Sequence, residues 1–414
     1  MRRFIFLEIF FVIVFISSCA NQTDSITANE KNGKKQLTLM VYMAADNDLE
    51  TYALQNLKMM EGVKSEGMNI LVLLDRAEGY DETEGNWTGS RLYQVCYDKS
   101  ATASIKSKRL NCPQLGISSG EETELDMANP GVLKGFIEYC KSSWEAENYA
   151  LIIWGHGNGW RAVTVDDRSS SYMSVHDLGN ALRGQGLSVI GFDSCFGAAF
   201  ENVYELKDCA EFTVACPGLT PSGGWNYRNL LESLKCQEMT AAWISQKMAE
   251  SAAVQTSIFS NDKVPALMDS FERFSMQLAQ TITDSSTQAS VFKNLLACKS
   301  YSYNQYPCDL YLDIYSIADF YFQHGNGSLS YEAGNLKNAI RQSVTSADGQ
   351  TGGAGIHFSE KPTAGSTVGV HSAEYRKNPN LTNQNLFIKE SCWWVPTASG
   401  NSASLLDKLF YTAF

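Results

Sequence analysis

Four apolar runs, at 36–43, 69–74, 149–154 and 187–192, restrict this chain to few folds. A strand buried on both faces of a parallel sheet reads as a continuous apolar run of this kind. Parallel strands need crossovers, and helical spacing fills the intervals. Leu49 to Gly62 places Leu54, Leu57 and Met60 on one face. A second helix starts at Asn129-Pro130, with proline at its favoured first position, and runs to about Trp144. Two more are expected near Val175 to Arg183 and from Gly197 to Leu206. Arg91 to Tyr97 and Ser104 to Leu110 alternate enough for an antiparallel excursion, and Phe212 to Ala215 reads as a short further strand. The class is α/β with a mostly parallel central sheet.

From about Thr240 the pattern turns helical, at Ala241 to Val254, Val264 to Ile282 and Asp313 to Phe322, with a late strand at Gly355-Ile356-His357-Phe358. The expected organisation is an α/β domain over 36–235 and a mainly helical lobe over 236–414 packed on it. Ahead of these, Arg2 and Arg3 precede the apolar stretch Phe4 to Ile16, and Ile16-Ser17-Ser18-Cys19 resembles a bacterial lipobox. That pattern implies a signal peptide over 1–18, a lipid anchor on Cys19, a flexible polar tether over 19–35, and a place in the bacterial cell envelope, at the outer membrane or surface. An ordinary secretory signal or an N-terminal membrane anchor are the alternatives.

Net charge is −12 and no basic run occurs, which argues against nucleic acid as a partner. Eleven cysteines include no C-x-x-C pair, so zinc ribbons and thioredoxin-like motifs are unsupported. Cys96 and Cys112 flank a hairpin-like segment and are close enough in sequence to be bridged; buried free thiols are the expectation for most of the others.

Two of the apolar runs end at reactive side chains among small residues. One leads into Trp154-Gly155-His156-Gly157-Asn158-Gly159-Trp160, the other into Asp193-Ser194-Cys195-Phe196-Gly197. Ligands of open α/β sheets bind beyond the strands' carboxyl ends, so neighbouring strands would bring His156 and Cys195 to one rim. A thiol attacks as the thiolate, and a histidine can take its proton and later protonate a leaving amine. A helix starting near Gly197 would also aim its positive end at Cys195. Singly, His156 reads equally well as a satisfied core residue and Cys195 as an inert thiol.

These stretches, with Asp166-Asp167, the opening Met40-Val41-Tyr42-Met43-Ala44-Ala45-Asp46-Asn47-Asp48-Leu49-Glu50, Glu201 to Leu206, and Pro221-Ser222-Gly223-Gly224-Trp225-Asn226-Tyr227, resemble the clostripain family (C11) of cysteine peptidases. The resemblance covers roughly 36–235, with weaker support at 355–358. It implies a caspase-like α/β/α sandwich and a thioester acyl-enzyme mechanism. His156 would be the general acid/base, Cys195 the nucleophile, and the backbone N–H groups of Gly157 and Cys195 the oxyanion hole. It further implies cleavage of proteins or peptides after Arg or Lys, with Asp193 matching the acidic residue of the S1 pocket. A carboxylate suits a guanidinium chemically; capping the helix after Cys195, or a strand-end hydrogen bond, is the structural alternative for Asp193. Cys216 to Pro221 stands where some relatives carry several acidic residues, which puts the second contribution to basic selectivity in question.

The family includes calcium-stimulated members. Asp166 and Asp167 are possible oxygen ligands, but adjacent aspartates read more readily as a solvated turn and no EF-hand spacing occurs, so no metal site is assigned and the chemistry requires no cofactor. Some relatives cleave themselves between the histidine and the cysteine; Arg168, before Ser169-Ser170-Ser171, is the candidate position here. Two other readings stay open: the same fold with different or broad P1 specificity, or a non-catalytic surface lipoprotein that binds. His176 reads as a helix-start residue, and the Trp393-Trp394 pair as core or interface rather than a sugar or peptide site.

Overall fold

All four apolar runs are parallel strands of one sheet. They form β1 (Lys35–Ala45), β2 (Met68–Arg76), β5 (Ala146–Gly155) and β8 (Leu187–Asp193), with β9 (Ala210–Ala215) beside β8. Antiparallel strands extend both edges: β3 (Gly89–Gln94) and β4 (Lys108–Leu110) beyond β2, β10 (Ser257–Ser260) and β13 (Val344–Ser346) beyond β9. The order is β13-β10-β9-β8-β5-β1-β2-β3-β4. A hairpin of β6 (Thr164–Asp166) and β7 (Ser171–Met173) and a small sheet of β11 (Ser300–Tyr303), β12 (Tyr306–Asp313) and β14 (Gly355–Phe358) lie apart from it.

This computed structural model describes residues 34–100, 104–235, 238–303, 306–346, 353–358, 387, 390–391, 393 and 404–410, all within one unit, Lys34–Phe414. The expected signal peptide, Cys19 and nearly all of the tether lie outside the described residues. Among the described residues no helix is long and apolar enough to cross a membrane.

Strand alternation divides the apolar runs between two cores. Leu39, Val41 and Met43 of β1 pack with α1 (Glu50–Glu61), α5 (Tyr227–Leu234) and α6 (Ala241–Ser251). Met40, Tyr42 and Ala44 face the other core, with α2 (Pro130–Ser143), α3 (Val175–Leu182), α4 (Phe200–Glu205) and α7 (Val264–Gln280). Further helices, α8 (Ser285–Leu296), α9 (Ile314–His324) and α10 (Gly327–Ser343), join that second core. Every residue of β2 and β8 is buried, which is why these strands show no polar alternation.

Three expectations change. The stretch 104–110 supplies only the three-residue β4. Among the described residues past 235, helices are joined by β10 and β13, which enter the central sheet. The helix after Cys195 starts at Phe200, not Gly197, because neighbouring segments take the intervening backbone. Phe196 N–H donates to Gly218 O, Ala198 N–H to Cys216 O, and Gly355 N–H to Ala198 O. Cys96 and Cys112 are both free, the second buried, as are Cys140, Cys209, Cys216 and Cys298.

Candidate active site

Register sets the site. Trp154 of β5 pairs with Asp193 of β8, and two residues on from each stand His156 and Cys195. Two glycines let the rims close. Gly155 has φ 140°, and a Cβ there would sit 2.7 Å from Ala44 O. A Cβ on Gly157 would lie 2.6 Å from Cys195 O and 3.0 Å from Ser194 Oγ, so the backbone after His156 runs directly against the cysteine turn.

The turn itself is strained. Phe196 has φ 56°, a left-handed conformation costly for an aromatic residue. Its N–H bond to Gly218 O and its stacking on Tyr311, at 5.1 Å between ring centroids, over-determine the geometry. With α4 starting at Phe200 and only six residues long, its first turn does not begin at Gly197 beside Cys195 as expected. Thr220 supplies polar contacts instead. Its N–H approaches Cys195 Sγ at 3.4 Å, Sγ approaches its carbonyl at 3.7 Å, and its hydroxyl donates to Ser194 O at 2.9 Å. Cys216 lies on the same loop, but burial pushes its thiol up to about 11, leaving it protonated at neutral pH.

His156 is partly exposed, and its Nε2 lies 2.6 Å from Asp48 Oδ1. Asp48 had no role in the sequence reading beyond a loop residue after β1. Its signal is topological: β1 pairs with β5, so the loop leaving β1 meets the end of β5.

A cavity of about 230 Å³ adjoins the pair, lined by Leu49, Trp154, His156, Asp193, Cys195 and Thr220 among others. That is below the range of pockets that enclose whole ligands and suits a single side chain. Asp193 is buried on the α5 side. Its Oδ2 accepts from Trp225 N–H at 3.0 Å and from Tyr227 O–H at 2.9 Å, while its Oδ1 accepts no hydrogen bond. The alternative of helix capping is overturned, since α4 is capped at Ala199. Burial raises Asp193 to about 7 against those two hydrogen bonds. Trp225 and Tyr227 anchor Asp193, a link absent from the sequence reading, where both stood only in a family-like segment. Asn56 braces the wall, accepting from Trp154 Nε1 at 2.9 Å and donating to Gly223 O at 3.0 Å.

Arg168 lies at the β6–β7 turn, with its side chain 56% exposed and its guanidinium 3.0 Å from Glu124. The neighbouring aspartates differ from a solvated turn: Asp167 is exposed, but Asp166 is fully buried and accepts from Met127 N–H and Ser169 N–H. His176 pairs with Glu205 at 3.1 Å. Trp393 is buried in the core, and Trp394 lies outside the described residues.

The sequence model of the clostripain family matches residues 41–392. Clostripain of Hathewaya histolytica is 28% identical over 234 residues, which cover 50% of this chain and 44% of that protein. The match thus spans less than half of that relative's length. Two solved structures share the fold. One is a secreted C11 cysteine protease from Bacteroides thetaiotaomicron bound to an irreversible peptide inhibitor, with TM-score 0.58 and 19% identity over 85% of this chain and 99% of that one. The other is an inactive zymogen C11 protease from Parabacteroides distasonis, with TM-score 0.60 and 18% identity over the same shares. The architecture is therefore the mostly parallel α/β sheet that the strand pattern implied, in the caspase-like α/β/α sandwich that the resemblance implied. With both rim stretches inside a match covering most of its length, the chain belongs to the clostripain family of C11 peptidases.

Proposed function

We propose that this protein is a cysteine endopeptidase that cleaves after Arg or Lys through Cys195 and His156. The observation that carries the reading is the Trp154–Asp193 register, which brings thiol and imidazole to one rim beside a cavity walled by a carboxylate. In the first half-reaction the Cys195 proton passes to His156 and sulfur attacks the scissile carbonyl carbon. The resulting oxyanion takes hydrogen bonds from the Gly157 and Cys195 N–H groups. His156 then protonates the amine, the C–N bond breaks and a thioester remains. Water, deprotonated by His156, attacks the thioester and releases the acid and the thiol. Asp48 beside Nε2 holds the imidazole in place through both halves.

Asp193 Oδ1 supports a basic P1 residue, because a buried acceptor without a donor is completed by an incoming guanidinium or ammonium. With no acidic residue at 216–221, this single carboxylate carries the selectivity, and broader P1 acceptance follows wherever it is neutral. The turn position and exposure of Arg168 support self-cleavage there. The lipobox supports export and anchoring through Cys19 with protein or peptide substrates outside the cell. Cys19→Ser is expected to move the protein from the membrane to the soluble fraction; unchanged membrane association contradicts the anchor.

The test of the main reading is hydrolysis of peptides bearing Arg, Lys, Asp or Asn at P1 by wild type, Cys195→Ala and Asp193→Asn. Turnover of Arg and Lys peptides that vanishes in Cys195→Ala supports it. Absence of Cys195-dependent hydrolysis favours a binding lipoprotein, and activity indifferent to P1 charge favours broad specificity.

A further inference from the structure

His156 and Cys195 stand on backbone beyond their strands, and sheet register fixes their segments only as far as Trp154 and Asp193. A side chain from the far half of the sequence touches both segments past that point. Tyr311, on β12, is 1% exposed. Its ring stacks on Phe196, the residue after Cys195, at 5.1 Å between centroids and 27° between planes. Its hydroxyl donates to Asn158 O at 3.4 Å, two residues past His156. A Cβ on Gly159 would overlap that hydroxyl, and Gly159 has φ 57°, so the backbone after His156 lies directly on the phenol.

The tyrosine is itself held on several sides. It pairs with His357 across β12 and β14, and the imidazole stands edge-on to it at 5.5 Å and edge-on to Trp160 at 5.6 Å. A Cβ on Gly355 would lie 2.9 Å from Tyr311 Cβ, and Gly355 N–H donates to Ala198 O. On β11, Tyr301 packs under Gly218, where a Cβ would meet its ring at 3.4 Å. The Tyr301 hydroxyl donates to Asp313 at 2.8 Å, and Gly218 O takes the Phe196 N–H. The small sheet thus meets the histidine segment, the cysteine turn and the loop at Gly218. A left-handed φ at an aromatic residue persists only where the surroundings over-determine it, and Tyr311 is the surrounding that also reaches the histidine side.

We infer that Tyr311 is a positioning residue of the active site, setting the distance and angle between His156 and Cys195 from the small sheet. The inference rests on the peptidase reading. Tyr311 is not among the residues lining the cavity, so its loss acts on rate rather than on substrate affinity. Misplacing reacting groups by about 1 Å can cost about 10²-fold in rate.

The test is hydrolysis of an Arg or Lys peptide by wild type, Tyr311→Phe and Tyr311→Leu, with kcat expressed per active site titrated by a covalent inhibitor and Tm measured alongside. Tyr311→Leu removes both contacts and should lower kcat by about 10²-fold with KM changed by less than about twofold. Tyr311→Phe keeps the ring on Phe196 and releases only Asn158, so it should recover part of the loss and stand about tenfold below wild type. Because the leucine variant can fail to fold, the phenylalanine variant decides alone in that event. A merely structural role lowers Tm and leaves kcat per titrated site within about twofold of wild type in both variants, which overturns the inference while the peptidase reading stands. A raised KM at constant kcat overturns it too, by placing Tyr311 in substrate binding. Wild type without Cys195-dependent hydrolysis defeats the peptidase reading and this inference with it.

Discussion

On the proposed reading, Asp193 joins specificity and stability in one side chain. Its carboxylate is anchored through Oδ2 and raised to about 7 by burial, so it is neutral below that pH and charged above it. Preference for basic P1 residues over neutral ones should therefore strengthen as pH rises through 7, measured as a ratio of kcat/KM values. Asp193→Asn should lower kcat/KM for Arg and Lys peptides by about 10²-fold or more and flatten that pH dependence. The stability consequence has a definite sign. An unfolded aspartate ionises near about 4, so between there and 7 the folded protein holds a proton the unfolded chain has lost. Asp193 thus makes stability fall as pH rises across that window, and Asp193→Asn should raise Tm more at pH 8 than at pH 5. Equal shifts at both pH values contradict the raised pKa.

Elements explain what the sequence made legible and what it did not. The runs at 36–43, 69–74, 149–154 and 187–192 were readable because a strand buried on both faces leaves an unmistakable apolar record. His156 and Cys195 followed from standing at the ends of two such strands. The start of α4 was not readable, because Gly218, Cys216 and Gly355 claim the preceding backbone from elsewhere in the chain. The anchors of Asp193 and the contact of Asp48 with His156 are equally long-range. The three-residue strand β13 and four-residue β10 are too short to leave a pattern. Asn56 is another hidden brace, joining α1, β5 and the loop at Gly223. Asn56→Ala leaves the Trp154 indole N–H buried without its acceptor and should destabilise by about 1–3 kcal/mol in denaturant unfolding. A cost near zero contradicts the role given to that bridge.

At the scale of the molecule, the sheet depends on residues from both halves of the sequence. Removing everything after 235 strips β10 and β13 from the edge beside β9 and uncovers the core shared with α7 and α10. A fragment of residues 34–235 should lose the cooperative unfolding transition of the intact protein; a sharp transition in that fragment contradicts this dependence. The same sheet presents thiol, imidazole and carboxylate at one end, and that convergence is the core of the functional account. Its most direct test is covalent labelling with a peptidyl electrophile carrying Arg at P1, mapped by mass spectrometry. The adduct is expected on Cys195 alone, forming more slowly in His156→Ala and in Asp193→Asn. Labelling spread over other cysteines, or a rate unchanged in both variants, contradicts it.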